Sequence, residues 1–220
     1  MSELLLIAAS GLGREVLVSV RSSGQYDIVG FLDDNEELCG IDVDGAPVLG
    51  PISDAPKYKH AFVLVCIGSG RARKAVVDRL TAMGISATRY ATVIDPSVRT
   101  PEESRVGRGS ILLQNVTLTA SVTLGSHVVA MPGVTFTHDD DVADFATFDA
   151  GASLGGGVRI GRAAYLGMNS SVRERTSIGA YATIGMGAAV LSNVPEGETW
   201  VGVPAHPIDR DRFDRMAAAQ

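Results

Sequence analysis

The apolar pattern changes period part-way along the chain. Up to about residue 90, short apolar runs alternate with amphipathic stretches. From Val106 to Val194 an apolar residue recurs every six positions. Stepping by six from Val106 meets Leu112, Leu118, Leu124, Ala130, Phe136, Val142, Phe148, Leu154, Ile160, Leu166, Val172, Ile178, Ile184 and Val190 without a slip. The position four after each is small or β-branched, from Ser110 and Val116 to Ala188 and Val194, and Asp140 is the exception. A helix repeats at 3.6 and an exposed strand at two, so neither gives this spacing. A fixed short period marks a solenoid of stacked repeats. One hexad supplies a short strand and a turn, and three close a triangular coil, so residues eighteen apart stack. With rungs about 4.8 Å apart, five coils make a prism roughly 24 Å long. Glycine recurs just after the inward residue, at Gly107, Gly125, Gly155, Gly161, Gly167, Gly179 and Gly185, as expected if that place needs a positive φ.

The earlier pattern is of another kind. Leu4 to Ala9 is a continuous apolar run, the mark of a buried parallel strand. Ser10-Gly11-Leu12-Gly13 follows, then an amphipathic helix with Val16, Leu17 and Val20 inward, stopped near Gly24. Strands are expected at Ile28–Leu32, Ala61–Ile67 and Ile85–Tyr90. A second helix is expected over 71–83, with Ala72, Ala75, Val76 and Leu80 inward. Glycines and prolines between Asp34 and His60 predict turns. Strand, glycine turn, helix, strand is half of a doubly wound, Rossmann-like fold. The predicted architecture is an α/β domain over 1–92 and a parallel β-helix over 93–220, ending in a cap. The glycine turn lets backbone approach a phosphate at a helix N-terminus, and Asp33 or Asp34 is placed to accept bonds from a ribose or base. A bare turn explains the same residues, because Val16 replaces the third glycine of the dinucleotide pattern.

Composition narrows the partners. The chain has 220 residues and a net charge of −6, which gives no electrostatic case for nucleic acid. Leu4–Ala9 is too short for a signal peptide's core, and no run approaches a membrane span. A cytoplasmic location is expected. Cys39 and Cys66 form no disulfide framework, and Cys66 reads as a buried thiol. A zinc site of three converging histidines is not expected, since the solenoid holds only His127 and His138. His127 reads as a surface corner.

Phe136-Thr137-His138-Asp139-Asp140-Asp141 interrupts the small-and-apolar rule. Such breaks mark candidate function. A histidine beside a carboxylate can act as a general base, although a solvated corner would carry the same charges. Eighteen residues on, Gly156 stacks next to His138, where a bare N–H can bind an acyl oxyanion. Three glycines in a row also relieve a crowded turn.

Taken with Phe31-Leu32-Asp33-Asp34, Ile67-Gly68, Leu166-Gly167-Met168-Asn169-Ser170 and Gly202-Val203-Pro204-Ala205, these motifs make the chain resemble the left-handed β-helix nucleotide-sugar N-acetyltransferases. The left hand comes from that resemblance alone, since parallel crossovers are usually right-handed. It implies transfer of acetyl from acetyl-CoA to the 4-amino group of a GDP- or UDP-linked 4-amino-4,6-dideoxy sugar, without a metal, by a homotrimer. His138 would be the base and Asp139 its partner. Gly156, Asn169, Gly202, Pro204 and Ala205 would meet the acetyl group and coenzyme A. Ser10, Gly11, Leu12, Gly13, Asp33, Asp34, Gly68 and Ser69 would bind the nucleotide sugar. Many relatives carry histidine where Leu12 stands here, and several UDP-sugar enzymes carry a second histidine where Thr147 stands. Transfer to a sugar hydroxyl, or a non-catalytic nucleotide-binding scaffold, stay open.

Overall fold

A computed structural model describes residues 1–208; the expected C-terminal cap beyond them, with Phe213 and Met216, lies outside the described residues. The chain opens with β1 (Ser2–Ile7), α1 (Gly11–Ser23) and β2 (Tyr26–Leu32). A two-rung hairpin, β3 (Asp42–Val43) and β4 (Ala46–Pro47), precedes β5 (Phe62–Val65) and α2 (Gly70–Ala82). Strands β2, β1 and β5 form a parallel sheet in that order. Ser10 caps α1 by accepting from Gly13 N–H, and Gly24 ends it in the left-handed conformation, as glycine allows without steric cost.

Two local expectations change. Ile85–Tyr90 is not a strand. It is a short 3-10 turn, Ala87–Arg89, and only Tyr90 bridges to Val63. The inner face of α2 is Gly70, Arg73, Val77 and Leu80, whereas Ala72 and Ala75 are exposed. The apolar stripe was disguised because its central member is an arginine.

From β6 (Val93–Ile94) onward the chain winds as a left-handed parallel β-helix of about six turns. Neighbouring rungs pair eighteen residues apart, Thr123 with Asp141 and Val129 with Thr147. Every inward residue of the hexad series from Leu112 onward is buried, as is the position four after it. Trp200 packs on the last coil opposite Ile184, a capping role. The glycines after the inward residues serve stacking rather than φ. A Cβ at Gly107 would lie 2.4 Å from the backbone of Gly125, and one at Gly161 2.3 Å from Ala180 N. Positive φ falls two residues later at the corner, at Gly109, Asn115, His127, Gly133, Asp139 and Asn169 among others.

The prism has three faces. The strands beginning at Arg105, Thr123, Asp141, Arg159 and Ser177 make a charged face, and those beginning at Thr117, Thr135, Ser153, Ser171 and Ala189 make a hydroxyl-rich one. The third carries the N-terminal domain. There Ile111, Leu113 and Val129 point outward yet are buried, in one core with Leu12, Val16 and Val20 of α1.

Arg73 joins the two parts. It is fully buried. Its Nε donates to His127 O (2.8 Å), Nη1 to Ile67 O and Gly68 O, and Nη2 to Phe145 O, Ala146 O and Thr147 Oγ1. Burial lowers its pKa to about 10, so it stays charged at neutral pH. His127 is not a surface corner: it is 6% exposed, stacked on Phe145 at 5.0 Å and edge-on to Tyr90 at 4.7 Å. The domain covers that corner, and the sequence had given no sign of where it docks.

Replacing Arg73 with Leu leaves several buried carbonyls without donors. We expect a loss of about 3 kcal/mol or more, measured by denaturant unfolding. Burial, aided by the Arg73 charge and opposed by Asp144, lowers the His127 pKa to about 4. Its free value is about 6.5, so the unfolded chain takes up a proton that the folded chain refuses. This contribution to stability is full above pH 6.5 and is lost as pH falls towards 4. His127→Phe should lose less stability than the parent between pH 7 and pH 5.

Candidate active site

His138 sits on the corner between the hydroxyl-rich and charged faces. Its Nδ1 lies 2.8 Å from Asp139 Oδ2, and both side chains are about two-thirds exposed, at 67% and 68%. The left-handed φ of 62° at Asp139 is the corner conformation shared by the hexads from Val106 to Ile184, and it turns the carboxylate back to its neighbour. With Nδ1–H donating to Asp139, the lone pair is on Nε2. That nitrogen lies over the next coil: a Cβ at Gly156 would be 2.3 Å from it. Gly157 N–H donates to His138 O (2.8 Å), and Gly156 N–H donates to no acceptor among the described residues. The structure therefore brings His138, Asp139 and Gly156 together.

The other residues expected on the acyl side lie along the hydroxyl-rich face. Ala205 N–H donates to Ala189 O and Ala189 N–H to Gly202 O, so the segment holding Gly202, Pro204 and Ala205 continues that face at its C-terminal end. Asn169 is exposed on the far corner of the same face, its side chain over Gly151.

The residues expected to bind the nucleotide sugar gather elsewhere, at the C-terminal ends of β1, β2 and β5, where ligands bind in open α/β sheets. Ser10 Oγ donates to Cys66 O (2.6 Å), and Asp33 Oδ2 accepts from Ala9 N–H (2.9 Å), which ties the three loops together. Gly11 has open space around it, whereas a Cβ at Gly13 would meet Ala8 O and Phe31 at 2.8 Å, so Gly13 permits close helix–strand packing. Leu12 turns its side chain into the core. Asp34 accepts from Ile52 N–H and pairs with Arg79, which holds its carboxyl below the usual range.

Gly68 and Ser69 border a cleft of about 420 Å³ between domain and prism, lined also by Arg71, Asp149, Tyr165 and Tyr181. Tyr165 donates its hydroxyl to Asp149. Burial, and then that carboxylate, push the tyrosine up to about 12. Burial, and then Asp149, also raise the Glu15 carboxyl. No periodicity announced Asp149 and Tyr165, which meet across a rung at a spacing of sixteen. Thr147 is buried and donates to Gly68 O (2.7 Å), so it supports this loop from below.

A methyl group at Gly156 must displace the His138 ring, which is exposed and free to move. Gly156→Ala should fold normally and lower kcat at least about 10-fold through misplacement of the base; stopped assays beside a thermal melt check both halves.

Residues 3–80 match the family described as the PglD N-terminal domain. GDP-perosamine N-acetyltransferase of Escherichia coli O157:H7 is 29% identical over 218 residues, covering 93% of this chain and 96% of that protein. The acetyltransferase domain of PglB from Neisseria gonorrhoeae FA1090, solved with acetyl coenzyme A, superposes with a TM-score of 0.86 at 28% identity, over 94% of this chain and 99% of that one. PerB from Caulobacter crescentus, solved with CoA and GDP-perosamine, shares the fold with a TM-score of 0.86 at 24% identity, over 95% and 98% of the two chains. Its first eighty residues thus match a PglD N-terminal domain, and over nearly its whole length the chain is similar to these sugar N-acetyltransferases and shares their left-handed β-helix fold.

Proposed function

We propose that this chain transfers the acetyl group of acetyl-CoA to the 4-amino group of a nucleotide-linked 4-amino-4,6-dideoxy sugar, GDP-perosamine or a UDP-linked relative, in the making of a bacterial surface glycan. The observation that carries it is the His138–Asp139 pair at 2.8 Å with Nε2 over the Gly156 backbone. An ammonium has no lone pair, so the amine must attack the thioester carbonyl as the neutral base. His138 Nε2 takes the proton the amine sheds during attack. The imidazolium is then stabilised by Asp139. Gly156 N–H meets the oxyanion. The carbon–sulfur bond breaks, and the coenzyme A thiolate leaves with the proton held on Nε2. The segment Gly202–Ala205 and Asn169 take coenzyme A along the hydroxyl-rich face. The loops of Ser10–Gly13, Asp33–Asp34 and Gly68–Ser69 take the nucleotide sugar, through backbone groups more than through the two aspartates, whose oxygens are already bonded within the chain.

His138 is on the corner opposite the face that carries the domain and its cleft. A sugar held in one chain's cleft therefore meets the histidine of another copy. Closed cyclic symmetry lets each chain give its corner to one neighbour and its cleft to the next, and a triangular prism suits three copies. Coenzyme A esters and nucleotide sugars are anionic and do not cross membranes unaided, so an enzyme using both works in the cytoplasm. No helix among the described residues is long and apolar enough to span a membrane.

His138→Ala should lower kcat/KM by about 10²- to 10⁴-fold and leave nucleotide-sugar binding intact. The assay follows free thiol release from acetyl-CoA with GDP-, UDP- and dTDP-linked 4-amino sugars and with the matching 4-hydroxy sugars. Turnover with an amine and none with the hydroxyl is expected; equal turnover with the hydroxyl sugar would contradict the reading.

A further inference from the structure

Asp140 breaks the hexad rule at a position where the chain otherwise uses valine, alanine, serine or threonine. Its side chain is 1% exposed. Oδ1 accepts from Val158 N–H (2.9 Å) in the next coil, and Oδ2 accepts from Thr137 N–H (2.8 Å) in its own turn. Serines in the same place show how much of this the solenoid uses elsewhere, and Ser170 Oγ there has no partner at all among the described residues. Ser104 Oγ accepts from Val122 N–H (3.1 Å) and Ser110 Oγ from Val128 N–H (3.0 Å), each reaching the next coil with its single oxygen. The carboxylate makes that bond and one more. The extra bond closes on the residue before His138, and the shared bond ends two residues after Gly156.

We propose that Asp140 is a positioning residue that locks the turn of His138 to the turn of Gly156, so that base and oxyanion donor keep their spacing during transfer. This rests on His138 being the base. The arrangement is costly to the fold. Burial pushes the Asp140 carboxyl up to about 6, against the two N–H donors and His138; Asp139 adds to the rise. His138 and Asp139, on its own turn, are the charged groups that act on it. The preceding coil meets it through Thr123 N–H on its carbonyl. A raised carboxyl contributes stability below pH 3.8 that is lost as pH rises through about 6, so a serine would hold the coil at neutral pH with less penalty. Retention of the acid only beside His138 fits a role in the site.

The test compares wild type, Asp140→Ser and Asp140→Asn across pH 5 to 8. Ser keeps the bond to Val158 and loses the one to Thr137. Asn is isosteric, cannot ionise and keeps one acceptor oxygen. At pH 8 both variants should assemble normally, hold KM for acetyl-CoA within about two-fold and lose about 10-fold in kcat, as a loosened reactive geometry does. Below pH 6 the wild-type carboxyl protonates and one of its bonds weakens, so the ratio of wild-type to variant kcat should fall towards one. A purely structural role would not make that ratio depend on pH. Wild-type kcat in the variants at pH 8, a ratio constant with pH, or failure of both variants to assemble would overturn the proposal. His138→Ala separates the two levels: if it is fully active the base assignment fails, and if it is inactive while Asp140→Ser is unimpaired only the positioning role fails.

Discussion

Coil stacking sets the terms for the rest of the molecule. Rungs lie about 4.8 Å apart, so each corner residue touches its counterparts eighteen positions away and little else. Where two coils come closest, only glycine fits, as at Gly107 over Gly125. Where the chain turns from coil to coil, up to Gly187, the third residue after the inward one adopts a left-handed φ. A left-handed Asp139 is therefore no special strain. It is the ordinary corner conformation, filled by a residue that tolerates it and bonds His138. The His138–Asp139 pair is built by giving one corner of a regular coil different side chains, and a glycine one coil later makes room for the ring.

The same stacking explains why the N-terminal domain is needed. A prism alone offers flat faces and shallow corners. The domain covers one face with α1 and anchors α2 through Arg73, whose guanidinium meets backbone oxygens from both parts. The loop of Gly68 is held between Arg73 and Thr147, and a cleft opens beside it. Thr147 is a buried hydroxyl that holds this loop, so it shapes the cleft from beneath.

The prism was legible because its signal is periodic and long: fifteen inward positions, from Val106 to Val190, define the register, and the same eighteen-residue step sets Gly156 over His138. Strand–turn–helix order in the first ninety residues was legible from apolar runs and glycines. Illegible were the contacts that join the two parts, since docking leaves no period. Arg73 did not stand out in α2, His127 read as an exposed corner, and Asp149 with Tyr165 went unmarked. Asp140 was visible as an exception, yet its partners, Thr137 N–H and Val158 N–H, emerge only when its carboxylate is seen to point inward.

The central claim is that one chain's His138 serves another chain's cleft. Gly68 has open space where a side chain would begin, so Gly68→Trp fills the cleft without disturbing the core. Mixing His138→Ala chains with Gly68→Trp chains in equal amounts, after dissociation and reassembly, measures the claim directly. Random assembly pairs an intact cleft with a neighbour's intact histidine at about one site in four, so about a quarter of wild-type activity should return from two inactive parents. Activity that stays at the level of the parents would show that histidine and cleft come from the same chain and would contradict the account.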